Sequence, residues 1–223
     1  MGILTALFSN IMSFVILLPV RLIAIIGHEL GHAYVSDKLG DPTPRNTGRL
    51  TINPLAHLDL YGTLLMLLTG FGWAKPVMIN PMYYRNRKKG TALVSLAGPF
   101  ANLVMAFCGM IIWAIAIILK AKTGLGTTVF NVIGSIAHTF IYTNLCFMVF
   151  NLIPIPPLDG SKVLGIFLSD RTYYKMLQYE RYSMILIMIL SLTGMFNTII
   201  GTGVNAVFNL IAVPINGLLK MII

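Results

Sequence analysis

HELGH, residues 28–32, ends the apolar run NIMSFVILLPVRLIAIIG, residues 10–27, which has the length and composition of a membrane-crossing helix. Two histidines and a glutamate are costly at membrane depth, and chains keep ionisable groups there for the work they do. On a helix, His28 and His32 stand four residues apart and project from one face, with Glu29 between them. That spacing lets two imidazoles grip one tetrahedral zinc with a carboxylate beside its open position. The competing reading is a pair of core histidines bonded across a bundle. It needs a chance H-E-x-x-H in a chain with only four His and two Glu.

The composition supports a membrane setting. The 223 residues are 57% hydrophobic and 10% charged, with mean hydropathy +0.82, whereas a soluble domain carries roughly a quarter charged residues. The opening MGILTALFSN has no basic n-region and reads as the start of a retained helix rather than a removed signal peptide. Cys108 and Cys146 lie inside apolar segments without ligand-spaced partners, so they read as small packing residues. The net charge of +9 is a topology signal rather than a nucleic-acid signal, as its distribution shows.

Four stretches are long and apolar enough to span a bilayer: Ile11–Leu39, Thr91–Leu119, Thr128–Ile153 and Ser183–Ile200. A fifth, 204–223, is interrupted by Asn205, Asn209, Pro214 and Asn216, and its crossing is left open. Gly62–Gly72 is too short to cross alone and reads as part of a re-entrant region over about residues 46–75. The fold class is therefore an all-α polytopic membrane protein, with four to six transmembrane helices and a re-entrant strand or loop after the first. The whole chain, 1–223, reads as one integral-membrane core. Of sixteen Lys and Arg, eight lie between Lys38 and Lys89 and four between Lys162 and Arg181; Lys120 and Lys122 mark the connection between the second and third spans. The positive-inside rule makes the first two groups cytoplasmic and the last external.

Of the seven acidic residues, only Glu29 and Asp159 fall at or near membrane depth. Asp159 lies in NLIPIPPLDG, residues 151–160, where Pro154, Pro156 and Pro157 forbid the third span from continuing as a helix. Irregular backbone at that depth is tolerated only against protein or a wet cavity, so the proline run delivers Asp159 into a pocket as a candidate third ligand. An interfacial turn with a solvated Asp159 is the competing reading.

HELGH in an early helix, SLAGPFANL at 95–103 and NLIPIPPLDG at 151–160 together resemble the site-2 protease family of intramembrane zinc metalloproteases. The resemblance covers about residues 20–165. GDPTPRNTGRLTINPLAHLDLYGTL (40–64) and FGWAKPVMINP (71–81) are similar to the compact prokaryotic branch, with no appended PDZ or CBS domain recognised. The resemblance implies one Zn²⁺ per chain held by His28, His32 and Asp159, with Glu29 as the general base. It implies catalytic parts for Asn151, as a donor to the developing oxyanion, and for Asn102, as a second asparagine near the site. A cap at the third span's end and a helix-to-helix bond are the respective alternatives.

The implied partners are the lipid bilayer and transmembrane protein substrates, not nucleic acid, with the active site toward the cytoplasmic side of a prokaryotic cell membrane. The family also implies that Gly48–Leu58 forms a re-entrant strand that pairs with unwound substrate. Outside the motifs, Arg21 reads as a snorkelling or cavity-bordering residue, His57 as a structural hydrogen-bonder and His138 as a packing residue. Tyr173, Tyr174, Tyr179 and Tyr182, among Arg171, Lys175 and Arg181, read as an interfacial segment. A metal or proton transporter using the same His and Asp side chains is the alternative function. It predicts repeated halves with matching broken helices, and the chain shows no such repeat. The nucleophile settings of serine and aspartyl intramembrane proteases are not found.

Overall fold

In the computed structural model of the chain, residues 11–69, 75–124, 126–192 and 194–222 are described. The N-terminal residues 1–10, and residues 70–74 of the expected re-entrant piece, lie outside them. Nine α-helices follow in order among the described residues: α1 (Ile11–Lys38), α2 (Thr43–Asn46), α3 (Leu60–Thr69), α4 (Arg87–Thr123), α5 (Thr127–Asn151), α6 (Asp159–Leu164), α7 (Asp170–Gln178), α8 (Glu180–Leu192) and α9 (Met195–Ile222). Four are long and apolar enough to cross a membrane, from α1, α4, α5 and α9, so the expected multi-pass helical architecture stands.

α4 is the central strut. Asn86 caps its start by accepting from Lys89 N at 3.0 Å, and Gly124, at φ 67°, ends it with its N–H bonded to Lys120 O. Along one side, Val94, Gly98, Asn102, Ala106 and Met110 are buried at near-turn intervals. Along another, Phe100, Val104, Phe107, Ile111 and Ile115 are exposed, a stripe suited to lipid. α1 runs antiparallel to it. Small residues let the two backbones close: a Cβ added at Gly31 would sit 2.7 Å from Ala97 O, and one at Gly27 would collide with Met105. α5 packs on α4 in the same antiparallel sense. Gly109 meets Ile141, and Gly134 lies under Trp113.

α9 closes the bundle against both α5 and α4. Val204 is buried with Ala106, Met110, Ile141 and Leu145. Gly203 meets Val149 while Tyr142 stacks on Phe208 at 5.3 Å, so α9 runs antiparallel to α5.

Two expectations are corrected. Ser183–Ile200 is not one span: the chain turns at Gly194, φ 76°, dividing the stretch between α8 and α9, and α9 supplies the fourth crossing. At 13 residues and about 1.5 Å per residue, α8 is too short to cross alone. Second, Gly48–Leu58 forms no strand; Leu58 carries an isolated bridge. Side chains occupy the backbone groups a ladder would use. Asn53 accepts from Leu55 N at 3.1 Å to cap a 3-10 turn at Pro54–Ala56, His57 Nε2 bonds Thr51 O at 2.8 Å, and the Arg49 guanidinium donates to Ala56 O. His57 is thus the structural hydrogen-bonder expected. Leu60–Thr69, which contains the described part (62–69) of the Gly62–Gly72 piece, is a ten-residue helix.

Candidate metal centre

The elements meet at three side chains. His28 and His32 descend from the last third of α1. Asp159 arrives from the opposite quarter, where the proline-rich stretch after α5 turns into α6. His28 Nε2 lies 3.2 Å and His32 Nε2 3.0 Å from the same Asp159 oxygen, Oδ2, and the two Nε2 atoms are 3.1 Å apart. All three residues are buried.

The outer nitrogens settle the chemistry of the inner ones. His28 Nδ1 is 2.6 Å from Asn102 Oδ1, and His32 Nδ1 is 2.6 Å from the carbonyl of Val94. A carbonyl oxygen only accepts. The Asn102 amide nitrogen is committed elsewhere, donating to Ala24 O at 3.1 Å and to Asn144 Oδ1 at 2.9 Å. Each imidazole therefore carries its proton on Nδ1 and directs an Nε2 lone pair inward. Two lone pairs and a carboxylate oxygen facing one another have no donor among them, and a cation at their centre resolves the repulsion. Ligand atoms around tetrahedral zinc sit about 3.3 Å apart, close to the spacing found here. The residues fit zinc.

The surroundings are built for that fit. A Cβ at Gly98 would fall 2.5 Å from His32 Nε2 and 2.7 Å from His28 Cε1, so the helix surface under the imidazoles must be bare. Pro99 follows it inside the helix and offers no amide to Ser95 O, the carbonyl next in sequence to Val94 O, which accepts from His32 Nδ1. Asp159 is held from behind by Lys162 Nζ, 3.2 Å from Oδ1, which leaves Oδ2 to face the histidines. Gly160 permits the turn itself, since a Cβ there would collide with Leu152 O. Ser161 Oγ closes it by donating to Leu158 O at 2.7 Å.

Glu29 leaves α1 toward the extended segment Lys75–Asn80 and its Oε2 accepts from Val77 N at 3.0 Å. Its other oxygen has no such bond among the described residues. Asn151, the last residue of α5, donates its amide back to Phe147 O at 3.0 Å and makes no hydrogen bond to the three clustered side chains. Asn102 touches the site only through His28 Nδ1, the nitrogen remote from Asp159, while binding α4 to α1 and α5. His138, expected to pack between helices, is instead exposed and stacks on Tyr142 of its own helix at 4.4 Å, one turn further along α5. The sequence reading missed Val94, Val77, Gly98, Asn144 and Lys162. Val94 and Val77 act through backbone groups that no side-chain pattern announces, whereas Gly98 lies inside the motif SLAGPFANL.

Comparison with known proteins agrees with this chemistry. YwhC of Bacillus subtilis, by name a candidate zinc metalloprotease, is 37% identical over 185 residues, covering 80% of this chain and 81% of YwhC. The similarly named Rip2 proteins of Mycolicibacterium smegmatis and Mycobacterium tuberculosis are 29% and 28% identical, each over 82% of this chain and 69% of the relative. No solved structure matches. The sequence profile of peptidase family M50 matches residues 14–197, most of the length over which α1, α4 and α5 bring the two histidines and the aspartate together, and the chain belongs to that family of zinc metalloproteases.

Proposed function

We propose that this chain hydrolyses peptide bonds within or beside the transmembrane segments of other membrane proteins, toward the cytoplasmic face of a prokaryotic cell membrane. The observation that carries the reading is the position of the metal cluster. It is enclosed by α1, α4 and the turn after α5, two of these being helices long and apolar enough to cross a membrane, and the Glu29 carboxylate, next in sequence to His28, is anchored by the Val77 amide. A soluble peptide has no reason to seek a site there, whereas a transmembrane segment is already in that environment.

Zinc bound by His28, His32 and Asp159 supplies a Lewis acid that acidifies water and polarises a peptide carbonyl. The chain does the rest. Asn102 and Val94 fix the imidazole tautomers so that both Nε2 lone pairs stay turned inward. Lys162 holds Oδ1 of Asp159 so that the other oxygen serves as ligand. Glu29, steadied through Oε2 by the Val77 amide, accepts the proton of the water that adds to the substrate carbonyl and passes it to the departing amine. Asn151, at the mouth of the Asp159 turn, is the donor for the carbonyl oxygen as charge develops there; it must first release Phe147 O. Asn102 is a positioning residue on this reading, because everything it touches lies behind His28.

Three variants test the assignment by zinc content and by cleavage of a transmembrane test substrate in detergent. Glu29→Gln is expected to retain zinc and lose about 10²–10⁴ in rate. Asp159→Asn is expected to lose zinc, since a neutral amide is a poorer ligand. Asn151→Ala should retain zinc and fall by about 10²–10³. Full activity in Glu29→Gln would sink the mechanism.

A further inference from the structure

We propose that α9 is a dimerisation helix, pairing with α9 of a second copy of this chain. The stripe is Thr198, Thr202, Asn205, Asn209, Ala212 and Asn216. Its steps of 4, 3, 4, 3 and 4 residues are the alternation of a heptad seam. At about 100° per residue the six positions fall within about 80° of one another on the helix. The packed face, centred on Gly203, Val204, Val207 and Ile211, lies largely opposite, and Ala212, half-buried at the border between the two faces, also touches the core.

Asn205, Asn209 and Asn216 are exposed, and their carboxamides make no hydrogen bond among the described residues. α9 is also the least covered of the four spans. Asn209 lies at the centre of the span Thr198–Ile222, so the surrounding hydrocarbon offers it neither donor nor acceptor. A pairing helix must therefore bring both. A carboxamide donates and accepts at once, so its natural complement is another carboxamide, and an apolar substrate helix has none to offer. Every copy inserts with the same sense, which makes an α9 pair parallel and in register. Each asparagine then meets its own counterpart, the arrangement by which asparagine at the seam of a two-stranded coil fixes its register.

The test uses full-length protein in liposomes. Thr202→Cys, in a background carrying Cys108→Ala and Cys146→Ala, keeps all three asparagines and places a thiol on the seam. Phe107→Cys, on the lipid-facing side of α4, is the control for random collision. Oxidation is expected to cross-link Thr202→Cys into dimers and to leave Phe107→Cys monomeric. Energy transfer between labelled copies, followed as lipid dilutes them, reads the equilibrium. Asn205→Leu, Asn209→Leu and Asn216→Leu combined should raise the dissociation constant about tenfold or more, and retained zinc shows that the variant is folded. Equal cross-linking at both positions, cross-linking of Thr202→Cys only to a substrate helix, or unchanged dimerisation in the triple variant each overturns the proposal.

Discussion

A methyl group at position 98 would lie 2.5 Å from His32 Nε2 and 2.6 Å from His32 Cε1, with the rest of α4's buried side already packed against α1, α5 and α9. Alanine favours a helix over glycine by about 1 kcal/mol, so Gly98→Ala should leave the helix intact and act on the imidazoles alone. The expected result is zinc stripped by chelator about tenfold or more too easily, with unchanged circular dichroism. Asn102 separates positioning from catalysis. If its work is to hold the His28 proton, Asn102→Leu should weaken zinc binding about 10–100-fold. If it touched substrate instead, the metal would stay and only turnover would fall, so a competition titration with a chelator tells the two apart. At this scale the sequence was most legible where chemistry resides in the side chain itself. His28, His32 and Asp159 were legible as a candidate ligand set because few other residues can act as ligands, and the structure brings those three together. Val94 and Val77 contribute a carbonyl and an amide that any residue would carry, and only the fold identifies them.

Between elements, the joint behind Glu29, the proposed base, is made by Asp41, which is fully buried just beyond α1. It accepts from Ser36 Oγ at 2.8 Å, Thr43 N at 2.9 Å and Asn80 N at 2.7 Å, tying the end of α1 to α2 and to the Lys75–Asn80 segment. Burial alone would push its carboxyl up, but the donors from Thr43, Asn80 and Ser36 outweigh it and hold the group below the ordinary carboxylate range. A carboxyl depressed in the folded state contributes stability that is full above its unfolded value, about 3.9, and fades as pH falls through the lower folded value. Amide protection at Val77–Asn80 should therefore hold at neutral pH and decline on acidification below about pH 4. Asp41→Asn should lower it already at neutral pH, by about 1–3 kcal/mol in opening free energy. Because Val77 N–H holds Glu29, that variant should also turn over more slowly with its zinc in place. Mass-resolved hydrogen exchange with a cleavage assay checks both. Elements were legible where hydropathy ran unbroken, as in α4 and α5, and misread where a single residue cut it. Gly194 divides an apolar stretch without changing its hydropathy, and the resemblance that implied a strand over Gly48–Leu58 gave no sign that Asn53, His57 and Arg49 would bond its backbone into turns.

For the whole molecule, the length of α4 and the charges at its two ends support the proposal that the site opens toward the cytoplasm. Its 37 residues extend about 55 Å, well beyond a hydrocarbon core of about 30 Å, so both ends stand among headgroups. Arg87, Lys88 and Lys89 mark one end, Lys120 and Lys122 the other. Lys88 pairs with Asp170 at 2.7 Å, so the end bearing Arg87 shares its side with α7 and the basic residues Arg171 and Lys175. The first connection and the segment after α5 thus hold most of the chain's positive charge on one side, which the positive-inside rule makes cytoplasmic. Val94 and Gly98, which touch the two histidines, lie seven and eleven residues along α4 from Arg87, about 10–16 Å of helix, and much further from Lys122. On the proposed orientation, a metal held at that depth would be reached from the cytoplasm more readily than from outside. With the native cysteines replaced, Arg87→Cys should resist a membrane-impermeant thiol reagent applied to intact cells and react after lysis. Lys122→Cys should react before it. The reverse pattern would place the cluster's opening on the external face and with it the source of its water, while leaving the zinc ligands themselves unchanged, since α1, α4 and α6 assemble them without reference to which side is which.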